Sequence, residues 1–235
     1  MNDHALAQKL IHAVEAADSS DSLLEAVKQL AAAGIEESVP TLIAALGYNN
    51  PGAAVAAVDG LIAIGEVAVQ PLLELIDNYN YGARAWAIRA LAGIGDFRAL
   101  DTLLEAAKND FSLSVRRAAA RGLGTLRWHQ VPPDQVQSVQ TQVLEALLVI
   151  SQDPEWVVRY AAVTSLETLA ISGDKSPVSR ITERFQQMID TDADLGVRTR
   201  VRLAQQQIQQ QPQEVLIPNK NLKGAKVPYR GGGRR

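Results

Sequence analysis

The sequence predicts an all-α solenoid of about six helix pairs, and three observations carry that prediction. Alanine and leucine dominate, while aromatic residues make up only 5% of the chain, a composition that favours helices over strands. Apolar residues recur with a helical period along most of the sequence. Related segments also return at a spacing typical of stacked supersecondary units. Pro40 matches Pro71 and Gly34 matches Gly65, 31 residues on in each case, and Gly95 follows 30 residues after Gly65.

The second helix of each unit is the best marked. It recurs as AAVAA (53–57), ARAWA (83–87), VRRAA (115–119), VRYAA (158–162) and VRTRV (197–201). The pairs fall at 3–17/21–33, 36–46/51–64, 67–77/82–94, 97–109/113–127, 134–152/155–170 and 177–190/194–210. The first pair offers the apolar run Leu6, Leu10, Ile11 and Val14. In the third pair, Ala83, Ala87, Ala90, Leu91 and Ile94 share one helical face, and Trp86, Arg89 and Gly93 share another. The fourth is followed by an inserted loop, RWHQVPP (127–133), whose prolines end one helix and start a longer one. A second break, SGDKSP (172–177), precedes the last pair. No pair can bury its apolar stripe alone, so neighbours stack into one elongated core. The unit is of HEAT type, and residues 1–210 form the expected solenoid.

From residue 205 a glutamine run leads into PNKNLKGAKVPYRGGGRR, which has too few apolar residues to fold. Residues 211–235 are expected to form a disordered basic tail. Six cations (Lys220, Lys223, Lys226, Arg230, Arg234, Arg235) and no acid lie beyond residue 214. The overall charge of −3 therefore hides a body of 17 basic and 26 acidic residues, a net −9. Such a body is not expected to bind nucleic acid. Without cysteine there is no disulfide, thiolate metal site or cysteine nucleophile. His4, His12 and His129 are too scattered to suggest a metal centre. Asp3, His4 and Lys9 interrupt the N-terminus, and no apolar run approaches 18 residues. A soluble cytoplasmic protein without membrane insertion is expected.

The arginines divide into two sets. Asp110 and Arg116, Asp153 and Arg159, and Asp192 and Arg198 stand six residues apart at the same place in their units, and Asn78 and Arg84 repeat the spacing with an amide. An Asp at the turn can cap the second helix, and the Arg can bridge to the turn of the adjacent unit. That ladder is expected to be structural. Arg89 and Arg121 sit five residues after a ladder arginine, and the equivalent one unit before Arg89 is Asp59. If the second helices line the concave face, these three form a polar row there. The row reads either as a surface ion pair or as a groove with two cations for acidic groups of a ligand. Among the aromatics, Tyr48, Tyr79 and Tyr81 fall on turns at one edge. Trp86 stands where other units carry Ala57, Ala118 and Ala161. Trp128, His129, Trp156 and Tyr160 flank the inserted loop and the helix after it. Several aromatics near two free arginines suit a flat acidic ligand or a partner hot spot.

The runs GYNNPGAAVAAVDGL, YNYGARAWAIRALAGIGD, DFSLSVRRAAARGLGTLRW and SQDPEWVVRYAAV resemble the phycobilisome lyase family of HEAT-like repeats, most closely its F-type subunits. The resemblance covers residues 10–205. It implies pairing with a larger E-type subunit and attachment of phycocyanobilin, as substrate rather than permanent cofactor, through a thioether to a cysteine of the phycocyanin α subunit. Detachment or transfer of the bilin is implied as well. On that resemblance Asp59 is the candidate catalytic carboxylate, facing the pyrrole nitrogens. Trp86, Arg89 and Arg121 are bilin contacts, the arginines on its propionates, with Tyr79 and Tyr81 alongside. Trp128, His129, Trp156 and Tyr160 are the partner-binding candidates. A lyase for another phycobiliprotein, a factor in phycobilisome turnover and a non-catalytic solenoid adaptor are the alternatives.

Overall fold

The computed structural model describes residues 3–77, 81–172 and 178–210. Its helices are α1 (Asp3–Glu15), α2 (Ser20–Ala33), α3 (Val39–Ala45), α4 (Pro51–Ile64), α5 (Val69–Asp77) and α6 (Tyr81–Ile94), followed by α7 (Leu100–Asn109), α8 (Leu113–Leu123), α9 (Val136–Ile150), α10 (Trp156–Ser172), α11 (Val178–Thr191) and α12 (Leu195–Gln210). They form six pairs, with no strand among the described residues. Short 3₁₀ turns lead into α3, α5 and α7. The tail from residue 211 and the break at 173–177 lie outside the described residues.

Odd-numbered helices form one layer and even-numbered helices the other. Within the even layer, each helix packs intimately on the next, α2 on α4 through to α10 on α12, whereas successive odd helices meet more loosely. Small residues permit this close approach. A Cβ added at Gly60 would stand 2.6 Å from the Ala31 Cβ, and one at Gly122 would stand 2.7 Å from the Ala92 Cβ. The layer that packs more tightly lies on the inside of the curve, so the even helices line the concave side. Between the layers runs a continuous core in which Leu30, Leu42, Leu61, Leu91, Leu123 and Phe185 are fully buried.

The turns follow from local chemistry. Ser19 and Ser22 cap α2 reciprocally, each hydroxyl accepting the other's backbone N–H. Asn50 caps α4 through the Ala53 N–H at 3.0 Å and donates to the Ser20 carbonyl of the preceding unit at 2.8 Å. Helices α2, α4 and α6 each end at a glycine with positive φ, Gly34, Gly65 and Gly95. α8 stops at Leu123, four residues sooner than expected, and Arg127 then donates its N–H to the Gly95 carbonyl at 2.9 Å.

The arginine ladder is present and runs forward from unit to unit. Arg84 Nε meets Asp110 Oδ2 at 2.8 Å, Arg116 Nε meets Asp153 Oδ2 at 2.7 Å, and Arg159 Nε meets Asp192 Oδ2 at 2.7 Å. Arg116 and Arg159 are bidentate, and each also donates Nη1 to the carbonyl of its own turn's aspartate at 2.9 Å. Among the described residues, Arg198 in the last unit bonds only to the carbonyl of its own turn, at Asp192. The aspartates accept the N–H two residues on, just before the helix, rather than one inside it. Burial would raise the Asp192 carboxyl, but the Arg159 bonds and the Asp194 N–H outweigh it and hold it below the usual carboxylate range. Asn78, the amide counterpart of these aspartates, lies outside the described residues.

Candidate functional site

Asp59 on α4, Arg89 on α6 and Arg121 on α8 occupy matching positions of successive even helices, and all three are exposed. Among the described residues they make no ion pair with one another. Arg89 instead lies over the ring of Trp86, its Cζ 5.8 Å from the centroid. Trp86 is half-buried and packs its inner edge on the core. Tyr79 lies outside the described residues, as does the side chain of Tyr81. Tyr48, on the equivalent turn of the second pair, is exposed.

Arg121 has a second setting. Together with Arg117, one turn earlier on α8, it forms one wall of a pocket of about 280 Å³. Trp156, Val157, Tyr160, Ala161 and Thr164 of α10 form the other. Trp156 and Tyr160 are 48% and 40% exposed, so much of each ring remains open to a ligand. No carboxylate lines the pocket, and neither arginine has an ion-pair partner among the described residues.

The pocket's walls are tied together from below. Ser165 is buried and donates its hydroxyl to the Ala120 carbonyl of α8 at 2.8 Å. Thr164 donates to the Tyr160 carbonyl at 3.1 Å and accepts from Arg200 Nε at 3.3 Å. Arg200 on α12 and Glu167 on α10 form an ion pair with side chains only 9% and 7% exposed. Arg200 Nη1 is buried and has no hydrogen-bond partner among the described residues.

The four partner-binding candidates separate. Trp156 and Tyr160 open α10, beside the start of the parallel α8. Trp128 and His129 belong to the 3₁₀ turn after α8, at the far edge of the solenoid. There Gln130 Nε2 donates to Glu66 Oε1 at 2.6 Å. Trp128 is half-buried against the core and His129 is exposed.

Sequence reasoning overlooked Arg117, although its i, i+4 spacing from Arg121 was a usable sign of a shared face. It also overlooked the Arg200–Glu167 pair. Among the described residues, no cluster of His, Asp and Glu could hold a metal ion, and no single helix is long and apolar enough to cross a membrane.

Comparison with known proteins extends the picture. The HEAT repeat family matches this chain over residues 7–92, 69–167 and 100–206. Phycocyanobilin lyase subunit beta of Pseudanabaena tenuis (strain PCC 7409) is 56% identical over 211 residues, covering 88% of this chain and 75% of that protein. Phycocyanin alpha phycocyanobilin lyase CpcF of Synechocystis sp. (strain PCC 6803) is 58% identical over 163 residues, 69% of this chain and 76% of the relative. Among solved structures, the complex of CpcE and CpcF of phycocyanin lyase from Nostoc sp. PCC7120 contains a chain 51% identical to this one. It superposes with a TM-score of 0.67 and covers 72% of this chain and 98% of that one.

Proposed function

This chain belongs to the phycocyanobilin lyase beta-subunit family of HEAT-repeat proteins, and on that footing we propose that it is one subunit of a heterodimeric bilin lyase. Its partner is an E-type, CpcE-like chain. Together they join phycocyanobilin to a cysteine of the phycocyanin α subunit. The observation that carries the reading is the concave surface of the even helices, where unpaired arginines stand beside aromatic rings on α6, α8 and α10. A linear tetrapyrrole with two propionates has the chemistry that such a surface recognises.

The reaction is an addition. The acceptor thiol adds across the exocyclic double bond of the bilin, so that sulfur bonds to one carbon and a proton ends on its neighbour. Nothing is lost, and the reverse step detaches the bilin. The absence of cysteine from this chain is consistent with a nucleophile supplied by the acceptor. The chain's own contribution is to hold the bilin and its positive charge in place, and positioning alone can supply several kcal/mol. Asp59, exposed on α4, is the carboxylate suited to steady a protonated pyrrole system, which is the more electrophilic form. Arg121 binds an acidic arm, and Trp86, with Arg89 over its ring, packs on a ring of the bilin. The bilin is a substrate that leaves with the acceptor.

Co-expression of this chain, an E-type subunit, phycocyanin α and a bilin supply tests the reading. Zinc-enhanced fluorescence of the α subunit on a denaturing gel is expected only when both lyase chains are present. Substituting another phycobiliprotein as acceptor in the same assay tests acceptor choice. Attachment by this chain alone, or none by the pair, contradicts the proposal.

A further inference from the structure

We infer that the pocket between α8 and α10 seats the acidic arms of the bilin, with Arg117 and Arg121 as paired cations and Trp156 and Tyr160 as the wall for a ring. The inference rests on the bilin-lyase reading and names the part of the surface that recognises the substrate.

The geometry favours this pair over Arg89 and Arg121. The two propionates of a linear tetrapyrrole hang from adjacent central rings, so they approach a protein side by side. Arg117 and Arg121 are one helical turn apart, with Cβ atoms about 6 Å from each other. Arg89 and Arg121 stand on separate helices, whose axes are about 10 Å apart. Both α8 arginines are exposed and free of ion pairs among the described residues, unlike Arg116 just before them, which is committed to Asp153. Arg89 is drawn over Trp86 on its own helix.

The pocket also has a fixed shape. Ser165 clamps α10 to α8 from below, and the Arg200–Thr164 bond steadies the rear of the α10 wall. A volume of about 280 Å³ is too small for a whole tetrapyrrole. It suits one ring with its acidic arms, the remainder lying along the even helices. Trp156 and Tyr160 would then act on the ligand, and Trp128 and His129, at the far edge, would not.

The test uses the purified heterodimer of this chain with an E-type subunit, titrated with phycocyanobilin and with its dimethyl ester, and followed by visible absorbance and circular dichroism. The wild type is expected to bind the free acid more tightly than the ester. Arg117→Gln and Arg121→Gln should each weaken the acid about tenfold and leave the ester unchanged. Trp156→Leu should weaken both forms. Lys108→Gln, an equal charge change on the outer layer, should alter neither. The inference is overturned if the two arginine variants bind the acid as wild type does, if they lose acid and ester equally, or if Lys108→Gln matches them. In those cases the lyase reading stands. A wild-type heterodimer that binds neither form defeats that reading, and the pocket assignment with it.

Discussion

Replacing Arg159 by alanine breaks a nearly buried rung of the arginine ladder. Arg159 donates to both oxygens of Asp192, at 2.7 and 2.8 Å, and to the carbonyls of Asp153 and Pro154 at 2.9 and 3.0 Å. Its side chain is 15% exposed and that of Asp192 is 5% exposed. Truncation leaves the Asp192 carboxylate buried, with the Asp194 N–H as its one remaining hydrogen-bond donor among the described residues and Arg184 as the remaining nearby cation. Losing one member of a buried pair costs about 3 kcal/mol, and in a chain of this length that lowers the melting temperature by about 6–12 °C. The cost should depend on pH. Asp192 is held below its ordinary range in the fold, so its contribution is present above the unfolded carboxyl value, about 3.9, and is lost as the pH falls through the lower folded value. In the variant, acid removes the stranded charge as well. The gap between wild type and Arg159→Ala should therefore be wide at pH 7, persist at pH 5 and narrow below about pH 4. Thermal unfolding followed by circular dichroism at the three pH values measures it. A shift within 1 °C at pH 7, or a gap that does not close in acid, would refute the reasoning.

Sites outside the ladder give sharper contrasts. Arg89→Ala, which removes an exposed side chain, should move the melting temperature by no more than about 2 °C. Glu167→Ala strands a buried guanidinium and should cost about 3 kcal/mol. The double change Glu167→Leu with Arg200→Met should recover most of that loss in the same melting assay. Gly122→Ala puts a Cβ 2.7 Å from that of Ala92 and should destabilise by about 1–3 kcal/mol by forcing α6 and α8 apart, measurable by urea unfolding.

Periodic features were legible in the sequence. The six pairs, the core faces and the Asp–Arg ladder each follow from a pattern that repeats, and a repeat reports its own geometry. The Asp59–Arg89 ion pair weighed from spacing alone is absent, because Arg89 turns along its own helix to Trp86. Arg117 was hidden in the VRR doublet, where its neighbour Arg116 satisfied the ladder pattern and accounted for the charge. Arg200 and Glu167 were invisible for another reason. They lie 33 residues apart, in registers that other units fill with Ala118, Ala161 or Gly124, and only the packing of α10 on α12 joins them. Trp128 and Trp156 looked like one cluster in the sequence. The length of α9 separates them, because it carries the chain from one edge of the solenoid to the other.

The most direct measurement is the intact mass of purified phycocyanin α after incubation with phycocyanobilin and the two lyase chains, each component omitted in turn. Thiol addition loses no atoms, so the account predicts a product whose mass is the sum of acceptor and bilin, formed only with both chains present. That product should be absent when the acceptor cysteine is replaced by serine. The same adduct at the same rate without this chain, or no adduct with all components present, would contradict it.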